Sequence, residues 1–274
     1  MTAYFDESGH SASTRVVAIG GAMTGPKQWG EVRPRWKAAL DKFGVRVFHM
    51  TDFENRQGEF SGWDEDRKRG LLSELIISVE NIVFLMGAAV VVRDFKLLPR
   101  TGEYGTFQDP WYFCYQQCFE AALSSDFLFD TEWHGVEKEF ASARACFFEW
   151  HRQFTWGPVL FALAHERRKE RGVKGPDGII GWGSKDSSLH FQLAYLIAYE
   201  LRKHVENAVF HEGRPTRWPM QQLLKKIFQV NVFDNSKTEI PTEGNKTALF
   251  RSAALADVGD GGRIKFSALS TPAE

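Results

Sequence analysis

The first third of the chain switches repeatedly between two hydrophobic periods, and that switching narrows the fold more than any other feature. Thr2-Ala3-Tyr4-Phe5 is a short extended run, and Val16-Val17-Ala18-Ile19-Gly20-Gly21 is short and largely β-branched, as strands require. After Pro26, Trp29, Val32, Trp36 and Leu40 recur at helical spacing. Residues 45–49 alternate again like a strand. Residues 64–81 place Leu71, Leu72, Leu75, Ile76 and Val79 on one helical stripe, with acids at the helix start. Residues 82–92 are continuously apolar, the pattern of a strand covered on both faces. Strands interleaved with helices in this order predict an α/β layered sheet flanked by helices.

The second half reads as more helical. Residues 112–123 and 139–154 carry helical patterns, and 156–170 continue as another helix. Residues 179–182 form a short strand candidate. The segment 188–207 is apolar almost all round, with Leu189, Leu193, Leu196 and Ile197 on one stripe and Phe191, Tyr195 and Tyr199 on a second, so it is expected to be a buried helix. From Gly244 onward small and polar residues dominate. The expected organisation is therefore one domain over 1–243 and a loosely held tail over 244–274.

Composition limits the functions available. With 274 residues of which 43% are hydrophobic, the chain has ample material for a core. A net charge of −1 gives no global attraction for nucleic acid, so any such binding has to come from local patches. Cys114, Cys118 and Cys146 form neither a disulfide framework nor a zinc pattern, and they read as buried thiols in a reducing cytoplasm. The start shows no charged region followed by an apolar run, and the most apolar stretch is about half the roughly 20 residues of a spanning helix. A membrane role is not indicated, and oligomeric state cannot be read.

Four clusters offer chemistry. Asp6-Glu7 closes the first extended run, and a carboxylate on a rigid strand is well placed to hold a divalent cation. Alternation along the strand sends the two side chains to opposite sides, so a single site is expected to receive one of them, with Asp6 preferred. Asp6-Glu7-Ser8-Gly9 equally composes a polar turn. His49, Asp52 and Glu54 fall just past the strand predicted at 45–49, where ligands gather in open α/β sheets, although a capping Asp and a surface His have the same appearance. Gly183-Ser184-Lys185-Asp186-Ser187-Ser188 precedes the buried helix, where free amides and Lys185 suit a phosphate and where Ser187 or Ser188 also suits a cap. The fourth is a basic scatter. Arg167, Arg168, Lys169, Arg171 and Lys174 are interleaved with acids and read as a solvated face, and Arg202, Lys203, Arg214, Arg217, Lys225 and Lys226 follow. Phosphate-loop, dinucleotide, nucleophile-elbow and metalloprotease signatures are absent.

Three ordered motifs carry a family resemblance. Tyr4-Phe5-Asp6-Glu7-Ser8-Gly9-His10, the run from Val45 through Leu72 that contains Phe48-His49-Met50-Thr51-Asp52, and the run from Gly181 to Asn207 together resemble the bacterial and phage-associated family called domain of unknown function 3800. The resemblance spans about residues 2–228. It implies a ribonuclease H-like central mixed sheet flanked by helices, with extra helices in the second half. It further implies hydrolysis of phosphodiester bonds in RNA or DNA with Mg²⁺ or Mn²⁺, in phage defence or a mobile element.

Carried residue by residue, the resemblance marks Asp6, Glu7, His49, Asp52 and Lys185 as catalytic, and Ser8, Ser184, Lys185 and Gln192 as substrate contacts. Metal ligands are expected at Asp6 and Glu7 and at a middle acid drawn from Asp130, Glu132, Glu137 and Glu139, with Asp130 and Glu139 put forward. One departure stands out. The family pattern Gln-Leu-Ala-Asp reads Gln192-Leu193-Ala194-Tyr195 here, and a phenol with a pKa near 10 is a poor metal ligand. The alternative is therefore a ribonuclease H-like binding or assembly module that has lost catalysis.

Overall fold

A computed structural model describes residues 1–96 except 12 and 83, then 109–123, 145–149, 179–211 except 187, and 213–224, with the backbone of 228–233 and 251–254. Seven strands form one mixed sheet. In chain order they are β1 (Thr2–Ser8), β2 (Val16–Thr24), β3 (Phe84–Val91), β4 (Ala145–Glu149), β5 (Ile179–Gly183), β6 (Phe228–Phe233) and β7 (Arg251–Ala254). Their order across the sheet is β5-β4-β1-β2-β3-β6-β7. The pairs β1–β2, β2–β3 and β6–β7 are antiparallel, and β1–β4, β4–β5 and β3–β6 are parallel. β1 thus lies inside the sheet, with Phe5 opposite Gly21 on one side and Phe148 on the other.

Helices cover both faces. α1 (Pro26–Phe43), α2 (Met50–Asn55), α3 (Glu65–Ser78) and the long α6 (Leu189–Phe210) contribute Trp36, Leu40, Phe53, Leu71, Leu75, Leu196 and Ile197 to one core, joined by α7 (Trp218–Leu224). α4 (Val92–Phe95) and α5 (Pro110–Leu123) cover the other, where Phe113, Cys114 and Cys118 pack on Phe5, Ile19 and Phe148. Strand alternation feeds the two cores: Val16, Ala18 and Ala22 belong to the first, Val17, Ile19 and Met23 to the second. All three cysteines are buried and unpaired. Gly20 decides how closely α6 approaches, because a Cβ there would lie 2.3 Å from the backbone nitrogen of Ala198.

Two sequence expectations need correction. Residues 45–49 form a loop rather than a strand. Val45 and Phe48 are buried, but side chains take up the backbone donors: Phe48 N donates to Gln192 Oε1 at 3.1 Å, and Arg46 N donates to Glu59 Oε2 at 2.9 Å. Residues 145–149, expected within a helix, form β4, since the chain must pass between β1 and β5 with Cys146 and Phe148 turned into the α5 core. The helix expected at 156–170 lies outside the described residues, as do most of 244–274. Within that tail, Arg251–Ala254 pair with β6.

Candidate metal centre

The site begins where β1 ends. β4 runs parallel beside β1 with Phe148 opposite Phe5, so the next residue on each strand is an acid, Asp6 and Glu149. Asp6, Glu7 and Glu149 each offer a carboxylate oxygen, and these oxygens lie within 4.8 Å of one another, all on buried side chains. Adjacent residues on β1 were expected to serve opposite sides of the sheet, yet both join the cluster. Tyr115 Oη of α5 donates to Glu7 Oε2 at 3.2 Å while Lys185 approaches Asp6, so the two carboxylates are held from different directions and still converge at the strand end.

Lys185 occupies the middle of the arrangement. Its ammonium lies 2.6 Å from Glu149 Oε2, 3.1 Å from Asp6 Oδ2, and 3.8 Å from the centre of the Tyr195 ring. The Lys185 backbone N also donates to Glu149 Oε1 at 3.2 Å. Burial alone would lower the lysine pKa, but Asp6 and Glu149 more than offset it and the group is held above its ordinary value. Complete burial pushes Asp6 well above the usual carboxylate range, with Glu7 and Glu149 adding to the shift and Lys185 opposing it. Lys185 is the one ammonium among these three carboxylates, and His10 Nε2 lies 3.2 Å from Glu7 Oε1, so with all three ionised and the imidazole uncharged the cluster retains uncompensated negative charge. Oxygen-only donors of this kind suit a hard divalent cation, so the residues present fit Mg²⁺ or Mn²⁺.

Tyr195 forms the wall behind Lys185. Its hydroxyl shares a hydrogen bond with Thr51 Oγ1. Its ring stacks on His49 with centroids 4.8 Å apart and planes at 25°. His49 Nδ1 lies 3.3 Å from Asp52 Oδ2, and burial followed by the nearby Lys185 charge lowers the His49 pKa. A cleft of about 460 Å³ opens here, lined by Arg46, His49, Asp52, Glu59, Glu149 and Lys185. The site is thus open on the α2 side and walled by α6.

The sequence-expected residues divide into four groups. Asp6, Glu7, His49, Asp52 and Lys185 come together. Ser8 and Gln192, expected to touch substrate, are buried and engaged internally. Ser8 Oγ accepts from Arg202 Nε at 2.9 Å, while Gln192 accepts from Trp36 Nε1 and Phe48 N and donates to Lys185 O, each at 3.1 Å. Gln192 therefore fastens the 45–49 loop and the 184–188 loop to α6. Ser184 is half-buried in the second of these loops, where its carbonyl accepts from Ser188 N at 3.1 Å. Asp130, Glu132, Glu137 and Glu139 lie outside the described residues. Among the described residues the third carboxylate is Glu149, which was not foreseen. Its signal was available: Cys146-Phe147-Phe148-Glu149 is an apolar run closed by an acid, as Tyr4-Phe5 is closed by Asp6-Glu7.

Fold and site together define a mixed α/β arrangement with carboxylates gathered at the end of an interior strand. The ribonuclease H2 from Pyrococcus horikoshii OT3 is similar to this chain in fold, at TM-score 0.39 and 13% identity over 82% of this chain and 85% of that one. A chain of the PCNA:RNase HII complex from Archaeoglobus fulgidus is similar at TM-score 0.35 and 13% identity, covering 82% and 87%. No family model matches the chain, and no curated protein matches it in sequence. Among the described residues no helix is long and apolar enough to cross a membrane.

Proposed function

We propose that the chain is a metal-dependent hydrolase of phosphodiester bonds in nucleic acid. The observation that carries this reading is the convergence of Asp6, Glu7 and Glu149 at one strand end, buried and only partly neutralised. These three would hold Mg²⁺ or Mn²⁺, and a bound ion supplies Lewis-acid polarisation of a phosphoryl oxygen. The chain's own residues contribute the rest. His49, whose pKa burial lowers and which stands beside Asp52 and the Tyr195 ring, faces the cleft as a proton acceptor for a water. Lys185 supplies the cation at the cleft wall, balancing either the carboxylates or an entering phosphate. Resemblance to the domain of unknown function 3800 family points the same way.

A second reading has its own support. The Lys185 ammonium already bridges Asp6 and Glu149, and Tyr195 holds it with a ring instead of adding a carboxylate. In that reading the chain binds nucleic acid without cleaving it. The test is to incubate the purified chain with single- and double-stranded RNA and DNA in Mg²⁺ or Mn²⁺, beside Asp6→Asn and Tyr195→Asp. Cleavage by the unaltered chain that falls at least roughly a hundredfold in Asp6→Asn supports the hydrolase. Cleavage by Tyr195→Asp alone identifies a disabled site. Absence of cleavage from both overturns the hydrolase reading.

A further inference from the structure

A second cleft, of about 720 Å³, lies at the far end of α6 from Lys185, and nothing in the proposed chemistry uses it. Its walls include Arg15, Lys203, Arg214 and Arg217, with Glu206 as the carboxylate among the lining residues, and Trp218. Among the described lining residues these four cations outnumber the one carboxylate, a local positive surface on a chain whose net charge is −1.

The internal pairing leaves much of that charge available. Glu206 is shared by Arg15 at 3.4 Å, Arg202 at 3.4 Å and Lys203 at 3.1 Å, so one carboxylate serves three cations. Arg217 is committed inward, to Glu54 and to Glu200 at 3.1 Å. Arg214 is exposed, and among the described residues no carboxylate pairs with it. Arg15 is steadied by the Phe210 ring 4.4 Å away, which also carries Arg93 at 4.7 Å.

Trp218 adds the second requirement. It opens α7, whose Met220, Leu223 and Leu224 are buried and fix the helix, yet its indole is 40% exposed. An exposed indole rimmed by cations is a stacking platform for an unpaired base, and a duplex does not present base faces to it. One side chain links the cleft to the strand that carries the carboxylates. Arg202, which shares Glu206 with the cleft cations, donates to Ser8, the residue after Glu7, and Arg15 immediately precedes β2.

We propose that this cleft binds single-stranded nucleic acid, with phosphates on Arg15, Lys203 and Arg214 and a base stacked on Trp218. That the bound strand is delivered to the carboxylates rests on the hydrolase reading; the binding itself does not. The experiment is fluorescence anisotropy of the full chain with a labelled single-stranded oligonucleotide in EDTA, in separate RNA and DNA arms. Binding is expected to weaken with salt by about 0.7 log units per log unit for each phosphate neutralised. Trp218→Ala is expected to weaken it roughly tenfold. Arg214→Glu should weaken it at least as much and flatten the salt slope, while Arg35→Glu, a charge-matched change on the exposed face of α1, leaves it unaltered. Absence of binding, equal binding of a duplex, or equal effects of Arg214→Glu and Arg35→Glu overturns the proposal. Binding in EDTA without cleavage in Mn²⁺ upholds the cleft and rejects the hydrolase; cleavage indifferent to Arg214→Glu upholds the hydrolase and rejects delivery of the strand from the cleft, while the anisotropy alone decides the binding.

Discussion

Replacing Lys185 with Met removes the one ammonium inside the carboxylate cluster and nearly preserves the length of the side chain. What remains is Asp6, fully buried, with Glu7 and Glu149, their oxygens within 4.8 Å. At that separation two like charges repel by about 3.5 kcal/mol at an effective dielectric of about 20. Burial already raises the Asp6 pKa and Lys185 opposes that shift, so losing the ammonium eases proton uptake by Asp6 and relieves part of this repulsion. Glu149 and Lys185 retain 12% and 16% of their side-chain exposure. Both effects place the loss at the lower end of the roughly 3–5 kcal/mol typical of a broken buried ion pair. At about 2–4 °C per kcal/mol for a chain near this size, the melting temperature in EDTA is expected to fall by about 6–12 °C. Mn²⁺ should then act unequally. A hundredfold excess over its dissociation constant contributes about 2.7 kcal/mol, enough to restore most of the loss in Lys185→Met. The unaltered chain should gain less, because its ammonium competes for the same oxygens. Thermal unfolding by circular dichroism, with and without Mn²⁺, reads this directly. Equal stability of the two proteins in EDTA refutes the counter-charge argument. Equal stabilisation of both by Mn²⁺ refutes the shared position.

Two further outcomes follow from buried polar groups. Burial raises Glu200 to about 7 from 4.5, with Arg217 opposing. The folded chain therefore holds a proton that the unfolded chain loses between those values, so this stabilisation is present below about pH 4.5 and is lost as pH rises towards 7. Relative to Glu200→Gln, the unfolding free energy of the parent is expected to fall by about 3 kcal/mol across that window and to level off above it, as read by urea titrations at each pH. The comparison must be between the two proteins, because His190 and His204, held near 4 by burial, tilt the raw profile the other way. Gln192→Leu should shift the urea midpoint downward by the equivalent of about 2–4 kcal/mol, since it strands the buried Trp36 Nε1 and Phe48 N donors. A smaller change would mean that these donors find other partners.

The layered fold was legible because its signals are local. α1 announces itself by Pro26 and the Trp29–Val32–Trp36–Leu40 spacing, and α3 by Asp64, whose carboxylate caps the helix by accepting from Arg67 N at 2.8 Å. The failures are places where a distant partner decides. Residues 45–49 have the alternation of a strand, but Gln192 and Glu59 side chains satisfy their donors, a circumstance written more than a hundred residues away in the case of Gln192. Glu149 was hidden for the same reason. Its meaning depends on β4 lying parallel to β1 in one register, which no stretch around residue 149 encodes. Asp6 and Glu7 were found, but the rule of alternating faces excluded one of them, and that rule weakens at a strand end.

Tyr195 then has a physical role as well as a cost. An aspartate there, as the family resemblance implies, would add negative charge beside three carboxylates and strengthen the demand for a divalent ion. A phenol adds none. Its ring instead offers a face to the Lys185 ammonium at 3.8 Å and stacks on the His49 ring, while its hydroxyl bonds Thr51. A phenol at this position therefore leaves less charge for a metal to balance than a carboxylate would, and favours the cation the chain already carries. The affinity of the cluster for a divalent ion is set by competition: three oxygens that suit the ion against one ammonium positioned by its own backbone bond to Glu149 and by the Tyr195 ring.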